Sequence, residues 1–137
     1  MNSPEGISTI AVEVFKNRTL YREVEFEFTN AVRREISIKT PLKVVDMDRA
    51  DSVITGDIVD FRRDLLRESQ VGVPTEYRIT VVVNYQVKNL KTGGVIAEGK
   101  LRRSADYQLM RGQVERQARE EAIRELARNV VQNAFHR

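Results

Sequence analysis

The residues that could do chemistry are few. One histidine, His136, stands second from the C-terminus, and cysteine is absent. The usual nucleophile–histidine arrangements therefore cannot be built. Ser/Lys and two-carboxylate sites remain open, but no carboxylate pair stands out from the general scatter. The lack of cysteine also removes a disulfide framework and a thiolate zinc site. Asp46-x-Asp48-x-x-Asp51 invites a hard-metal reading, yet an EF-hand loop needs Gly at its sixth position and Glu at its twelfth, where this chain has Asp51 and Asp57. Aspartates as turn formers and caps account for the pattern. Gly93-Gly94 is followed by neither Lys-Ser/Thr nor a helix start, so it reads as a turn rather than a phosphate loop. The chain reads as no enzyme, with neither cofactor nor metal implied.

Charge is more informative. Among 137 residues there are 17 Arg and 6 Lys against 20 acids, a net charge of +3 and a pI near 9.4. The planar guanidinium fork suits phosphate and carboxylate better than an ammonium does. That preference points to an anionic partner, with a solvated mixed-charge surface as the other reading.

The arginines matter most where a strand lines them up. Residues 77–87 place Tyr77, Ile79, Val81, Val83, Tyr85 and Val87 at odd positions, and Arg78, Thr80, Val82, Asn84 and Gln86 at even ones. Strand side chains alternate between faces, so this is one apolar face and one mostly polar face. After a turn over residues 89–94 the alternation resumes at Val95, Ala97, Gly99 and Leu101, which makes a β-hairpin. The turn is expected to bring Val82 near Lys100 and Thr80 near Arg102, so that Arg78, Lys100 and Arg102 share the outward face. Arg103 breaks the inward alternation, and Arg62 and Arg63 are expected to end the neighbouring strand. A basic stripe with Val82 and Ile96 between its charges suits an anionic amphiphile, arginine for phosphate and aliphatic surface for acyl chain. An ordinary solvated sheet face is the alternative.

The elements that must carry this hairpin follow from periodicity. Residues 7–15 are apolar at nearly every position, as in a strand covered on both sides or central in its sheet, and residues 16–19 form a polar loop. A helix is expected over 22–38, where Val24, Phe28, Ala31, Val32 and Ile36 make one stripe. Phe26 lies off that stripe without a role. Pro41 stops the helix. Short strands are expected at 42–45 and 52–61, the latter of ambiguous parity. Pro74 marks a loop over 71–75. A last helix is expected over 113–134, with Val114, Ala118, Ala122, Ile123, Leu126, Ala127, Val130 and Ala134 on one face. The predicted fold is α+β, a two-layer sandwich in which two amphipathic helices pack on one face of a mixed, mostly antiparallel sheet, with a parallel crossover at its start. Residues 1–137 read as one domain with a short loose leader, and the first six residues have no basic patch followed by an apolar run, so no signal peptide is expected within them.

Five segments together carry a resemblance: STIAVEVFKNRT, VEFEFTNAVRREI, LKVVDMDRADSVITGDIVDFRRD, TEYRITVVVNYQVKNLKTGGVIAEGKL and AREEAIRELARNVVQNAF. In order and spacing they resemble the lipopolysaccharide-assembly lipoprotein family, the E component of the lipopolysaccharide transport machinery. The resemblance implies a non-enzymatic protein at the periplasmic face of the outer membrane, anchored by a lipid on an N-terminal cysteine. It implies a large β-barrel partner that the domain plugs and helps to assemble, and contact with lipopolysaccharide; separately from the resemblance, no nucleic-acid partner is expected. This chain departs from the family in lacking that cysteine. The lipopolysaccharide contacts expected here are Arg78, Lys100, Arg102, Arg62 and Arg63, chosen from the stripe rather than from a family motif. The opening strand, first helix and Thr-Gly hairpin also resemble the amino-terminal domain of the Tol-system propeller protein and curli-secretion-type lipoproteins, which implies a periplasmic protein–protein adaptor instead. A base-stacking nucleic-acid surface is disfavoured because Tyr77 and Tyr85 fall on the core side.

Overall fold

The computed structural model describes residues 6–136; residues 1–5 of the expected leader and Arg137 lie outside the described residues. Within the apolar opening over residues 7–15 the strand is confined to β1 (Thr9–Val12), and a second short strand, β2 (Lys16–Asn17), follows it. Helix α1 (Val24–Lys39) follows, then β3 (Lys43–Val44), a single 3-10 turn, and three long strands: β4 (Ser52–Glu68), β5 (Pro74–Asn89) and β6 (Val95–Gln108). Helix α2 (Glu115–Phe135) closes the chain. The sheet order is β3-β1-β4-β5-β6, with β2 also on β4. Pairings of β1 with β3 and β4, and of β2 with β4, are parallel, whereas β4–β5 and β5–β6 are antiparallel.

The stripe on α1 packs as its spacing requires: Val24, Phe28, Ala31, Val32 and Ile36 are all buried. Phe26 is exposed and joins no core contact. On α2, Ala118, Ala122, Ile123, Leu126, Ala127, Val130 and Ala134 are buried, while Val114 precedes the helix and is exposed. Both helices cover the same side of the sheet. There they meet Ile54 and Ile58 of β4, Ile79, Val81, Val83, Tyr85 and Val87 of β5, and Ala97 and Ala105 of β6. A buried hydroxyl ties the layers together: Thr29 of α1 accepts a hydrogen bond from the Phe15 amide at 2.9 Å.

Two expectations are corrected. Lys16 and Asn17 are strand, paired with Asp57 and Ile58, rather than loop. Strand β4 does not end at Arg62 and Arg63; it continues to Glu68, and Pro74 opens β5 opposite it. A proline that is the first residue of its strand removes no interior ladder bond.

The start of β4 is stapled to the start of β1. Asp51 accepts hydrogen bonds from the Ser8 and Thr9 amides at 2.9 and 3.0 Å. Burial raises its pKa, but these amide donors outweigh it and hold the carboxyl below its ordinary value of 3.8. A carboxylate with a lowered folded pKa contributes stability that is fully present above its unfolded value and is lost as pH falls through the folded value. Acid unfolding below pH 3.8 should therefore include a contribution from Asp51. Denaturant titrations of Asp51→Asn across that range should show a shallower loss than the parent, and an unchanged slope would contradict the staple.

Candidate functional site

The outward face of the sheet, away from both helices, is built from rows of residues that pair across β4, β5 and β6. The β5–β6 register pairs Val82 with Arg102, Asn84 with Lys100, Thr80 with Ser104 and Arg78 with Asp106. This is two residues away from the expected pairing of Val82 with Lys100 and Thr80 with Arg102. The turn, closed by Asn89 and Gly94, supplies one residue of the difference, and an irregularity between Val87 and Lys88 supplies the other. A two-residue shift preserves the faces, so Arg78, Lys100 and Arg102 do share the outward side, and all three are exposed.

The shift changes their neighbours. Arg78 now lies between Asp64 and Asp106 in one row and pairs with Asp106 at 2.8 and 3.2 Å. Arg62 on β4 bonds both Asp60 and Asp64, which flank it two residues away on the same face. These carboxylates raise the pKa of Arg62 and Arg78 above the usual guanidinium value. Asp57 opposes Asn84, and Arg18 reaches Asp57 at 3.7 Å. The expected continuous basic stripe is thus a checkerboard of both signs. Lys100 and Arg102, two residues apart on β6, have no ion-pair partner among the described residues.

Arg63 is not part of this face. Adjacent strand residues point opposite ways, and Arg63 lies in register with Ile79 on the helix side, its guanidinium 4.5 Å from the Tyr77 ring centroid. Tyr77 in turn stacks on Tyr107, with centroids 5.5 Å apart. Arg103, also on that side, reaches Glu125 of α2 at 3.0 Å. Val82 is half-buried on the outward face, whereas Ile96 sits beside the irregularity and packs against the core instead of lying between the charges. The partners that sequence reasoning missed were Asp60, Asp64 and Asp106. Asp60-x-Arg62-x-Asp64 carried a visible signal, because residues two apart on a strand share a face.

Other chemistry stays thin. Among the described residues no group of three His, Cys, Asp or Glu side chains could hold a metal ion. His136 is exposed at the end of α2. No helix among the described residues is long and apolar enough to cross a membrane.

Comparison with known proteins adds a family. The model of the family described as LptE, lipopolysaccharide-assembly, matches residues 7–137. Among curated proteins no sequence matches. Three solved structures share the fold. Rare lipoprotein B from Shewanella oneidensis is 19% identical, with TM-score 0.61 over 90% of this chain and 91% of that one. The PelC dodecamer from Paraburkholderia phytofirmans is 13% identical, with TM-score 0.64 over 98% and 96%. A minor lipoprotein from Acinetobacter baumannii is 15% identical, with TM-score 0.61 over 96% and 93%. At such identities these likenesses establish the two-helix, mixed-sheet architecture and nothing finer.

Proposed function

This chain belongs to the lipopolysaccharide-assembly family, and we propose that it is a non-enzymatic component of the outer-membrane lipopolysaccharide translocon. It binds lipopolysaccharide, and it plugs and helps to assemble a large β-barrel partner at the periplasmic face of the outer membrane, held there by a lipid anchor. The observation that carries the binding role is the unpaired couple Lys100 and Arg102, with half-buried Val82 directly across from Arg102. Two cations without an internal partner can donate charge-assisted hydrogen bonds to a phosphate at no cost in broken ion pairs. Arg62 and Arg78 border them but must first give up an aspartate, and Arg63 faces the other way.

The long sheet supports a plug. The N-terminal side of β1 lies at the 89–94 turn, where the Leu90 amide bonds the Asp51 carbonyl at 2.9 Å and Asp51 holds Ser8 and Thr9. The β4–β5 turn is at the opposite end, roughly 50 Å away for a strand of this length. An anchor preceding β1 leaves that far end, with Leu65, Leu66, Val71 and Val73 exposed, free to enter a partner.

Purified protein should bind lipopolysaccharide at low-micromolar or weaker affinity. The binding should weaken steadily as ionic strength rises from about 0.1 M, where screening acts over about 10 Å, to about 1 M, where it acts over about 3 Å. Co-expression with a translocon barrel should yield a stable complex. Capture of soluble periplasmic proteins with no lipopolysaccharide binding at any salt concentration would replace this reading with the adaptor one.

A further inference from the structure

The unpaired cations stand at the border of a trough that they do not fill. Two rows of side chains cross the strands on the outward face. Thr55, Gln86 and Glu98 form one, and Asp57, Asn84 and Lys100 form the other. Between them runs the row of Gly56, Tyr85 and Gly99. In that row the only large side chain points the other way: Tyr85 is 3% exposed, and its hydroxyl accepts a hydrogen bond from Asn133 of α2 at 3.0 Å. The trough floor is therefore main chain. Its rails stand two residues apart along each strand, roughly 7 Å. The hollow measures about 710 Å³ and is bounded at its β2 end by Glu13 and Lys16, within the range of about 300–1,000 Å³ usual for small-ligand sites.

The rails are chemically idle. Thr55, Asn84, Gln86, Glu98 and Lys100 make no side-chain hydrogen bond or ion pair among the described residues, and Asp57 has only Arg18 at 3.7 Å. A hydroxyl and two carboxamides thus present spare donors and acceptors across a narrow channel. Charge does not favour a polyanion, since three carboxylates face two ammonium groups around the hollow. A peptide's apolar anchors would find no apolar pocket there. A ligand carrying hydroxyls along its whole length, each both donor and acceptor, matches the rails.

We propose that this trough binds a short saccharide chain lying across β4, β5 and β6, with Asn84 and Gln86 as its central contacts. The inference rests on the proposed function for the source of the glycan. With a phosphate over Lys100 and Arg102, the adjoining sugars of the same molecule occupy the trough.

The probe is core oligosaccharide prepared from lipopolysaccharide, delipidated and dephosphorylated, so that neither acyl chain nor phosphate contributes. Titrated into the full chain and followed by amide NMR, it should produce saturable shifts at the Gly56 and Gly99 backbone amides and the Asn84 and Gln86 side-chain amides. The affinity should be millimolar and much less sensitive to salt than that of intact lipopolysaccharide. Asn84→Ala with Gln86→Ala should weaken it about fivefold or more, as two lost hydrogen bonds imply. Arg102→Glu should leave it unchanged while weakening intact lipopolysaccharide. An absence of shifts at Gly56 and Gly99 overturns the trough, even where intact lipopolysaccharide binds. An affinity in the Asn84/Gln86 double variant equal to that of the parent protein does the same. Glycan binding kept while wild-type protein ignores intact lipopolysaccharide supports the trough and removes the functional reading instead.

Discussion

Phe28→Ala should destabilise the protein by about 3–5 kcal/mol. Phe28 is 0% exposed, and its ring meets Phe15 edge to face, with centroids 4.8 Å apart and planes at 82°. Such a pair contributes about 0.5–1.5 kcal/mol beyond the area it buries. Its loss also loosens the turn of α1 whose Thr29 hydroxyl satisfies the Phe15 amide. A domain of this size has a total stability of only about 5–15 kcal/mol, so the variant should lose a large part of its resistance to urea. A loss under about 1 kcal/mol in denaturant titration would mean that the ring is not where the two layers meet.

Gly56→Ala is the second large effect. A Cβ there would collide with the Asn84 carbonyl of the paired strand and with the Phe15 ring, the Cδ2 of which would lie 2.8 Å away. Neither neighbour can step aside: one is sheet backbone and the other is 1% exposed. Overpacking a filled core costs about 1–3 kcal/mol and occasionally more, and this contact belongs at the upper end. Gly72→Ala provides the contrast. It has positive φ at +83° but nothing within 4 Å of the added carbon, so its cost is backbone strain alone, on the order of 1 kcal/mol. Equal midpoints for the two variants in denaturant would contradict the assigned packing of β4 on Phe15.

These two positions also mark what the chain made legible. The stripe through Phe28 could be read directly, because a helix repeats its buried face at three and four residues and nothing else in that window competes. The hairpin faces were legible for the same reason at a period of two. Gly56 was not, because a missing side chain leaves no period; only the strand and ring packed over it give it a role. Strand β4 beyond Phe61 was hidden for another reason. Arg62, Arg63, Leu65, Leu66 and Arg67 are exposed on both faces, so the alternation that reveals a half-buried strand has nothing to record. Lys16 and Asn17 pair with β4 through two residues, an interaction set by the tertiary fold rather than by local preference.

The candidate site was legible by face but not by neighbour. Period-two reasoning placed Arg78, Lys100 and Arg102 on one side, and that holds. Register depends on how the turn and its adjoining irregularity are spaced, and a shift of two residues moved Arg78 to lie opposite Asp106. Treating Arg62 and Arg63 as one group overlooked the alternation itself. The pair left without acids, Lys100 and Arg102, emerged only from the observed ion pairs.

The central claim is that lipopolysaccharide is held through Lys100 and Arg102, and double charge reversal tests it most directly. Both side chains are exposed on the outward face, so Lys100→Glu with Arg102→Glu should leave the thermal midpoint nearly unchanged, as surface substitutions usually do. Two charge-assisted contacts, each worth on the order of 1 kcal/mol at an exposed site, correspond to binding that is about tenfold weaker or more. Measured at low ionic strength on the folded double variant, lipopolysaccharide affinity reduced by that factor, with little remaining salt dependence, is the predicted result. Affinity and salt dependence equal to those of the parent protein would contradict it.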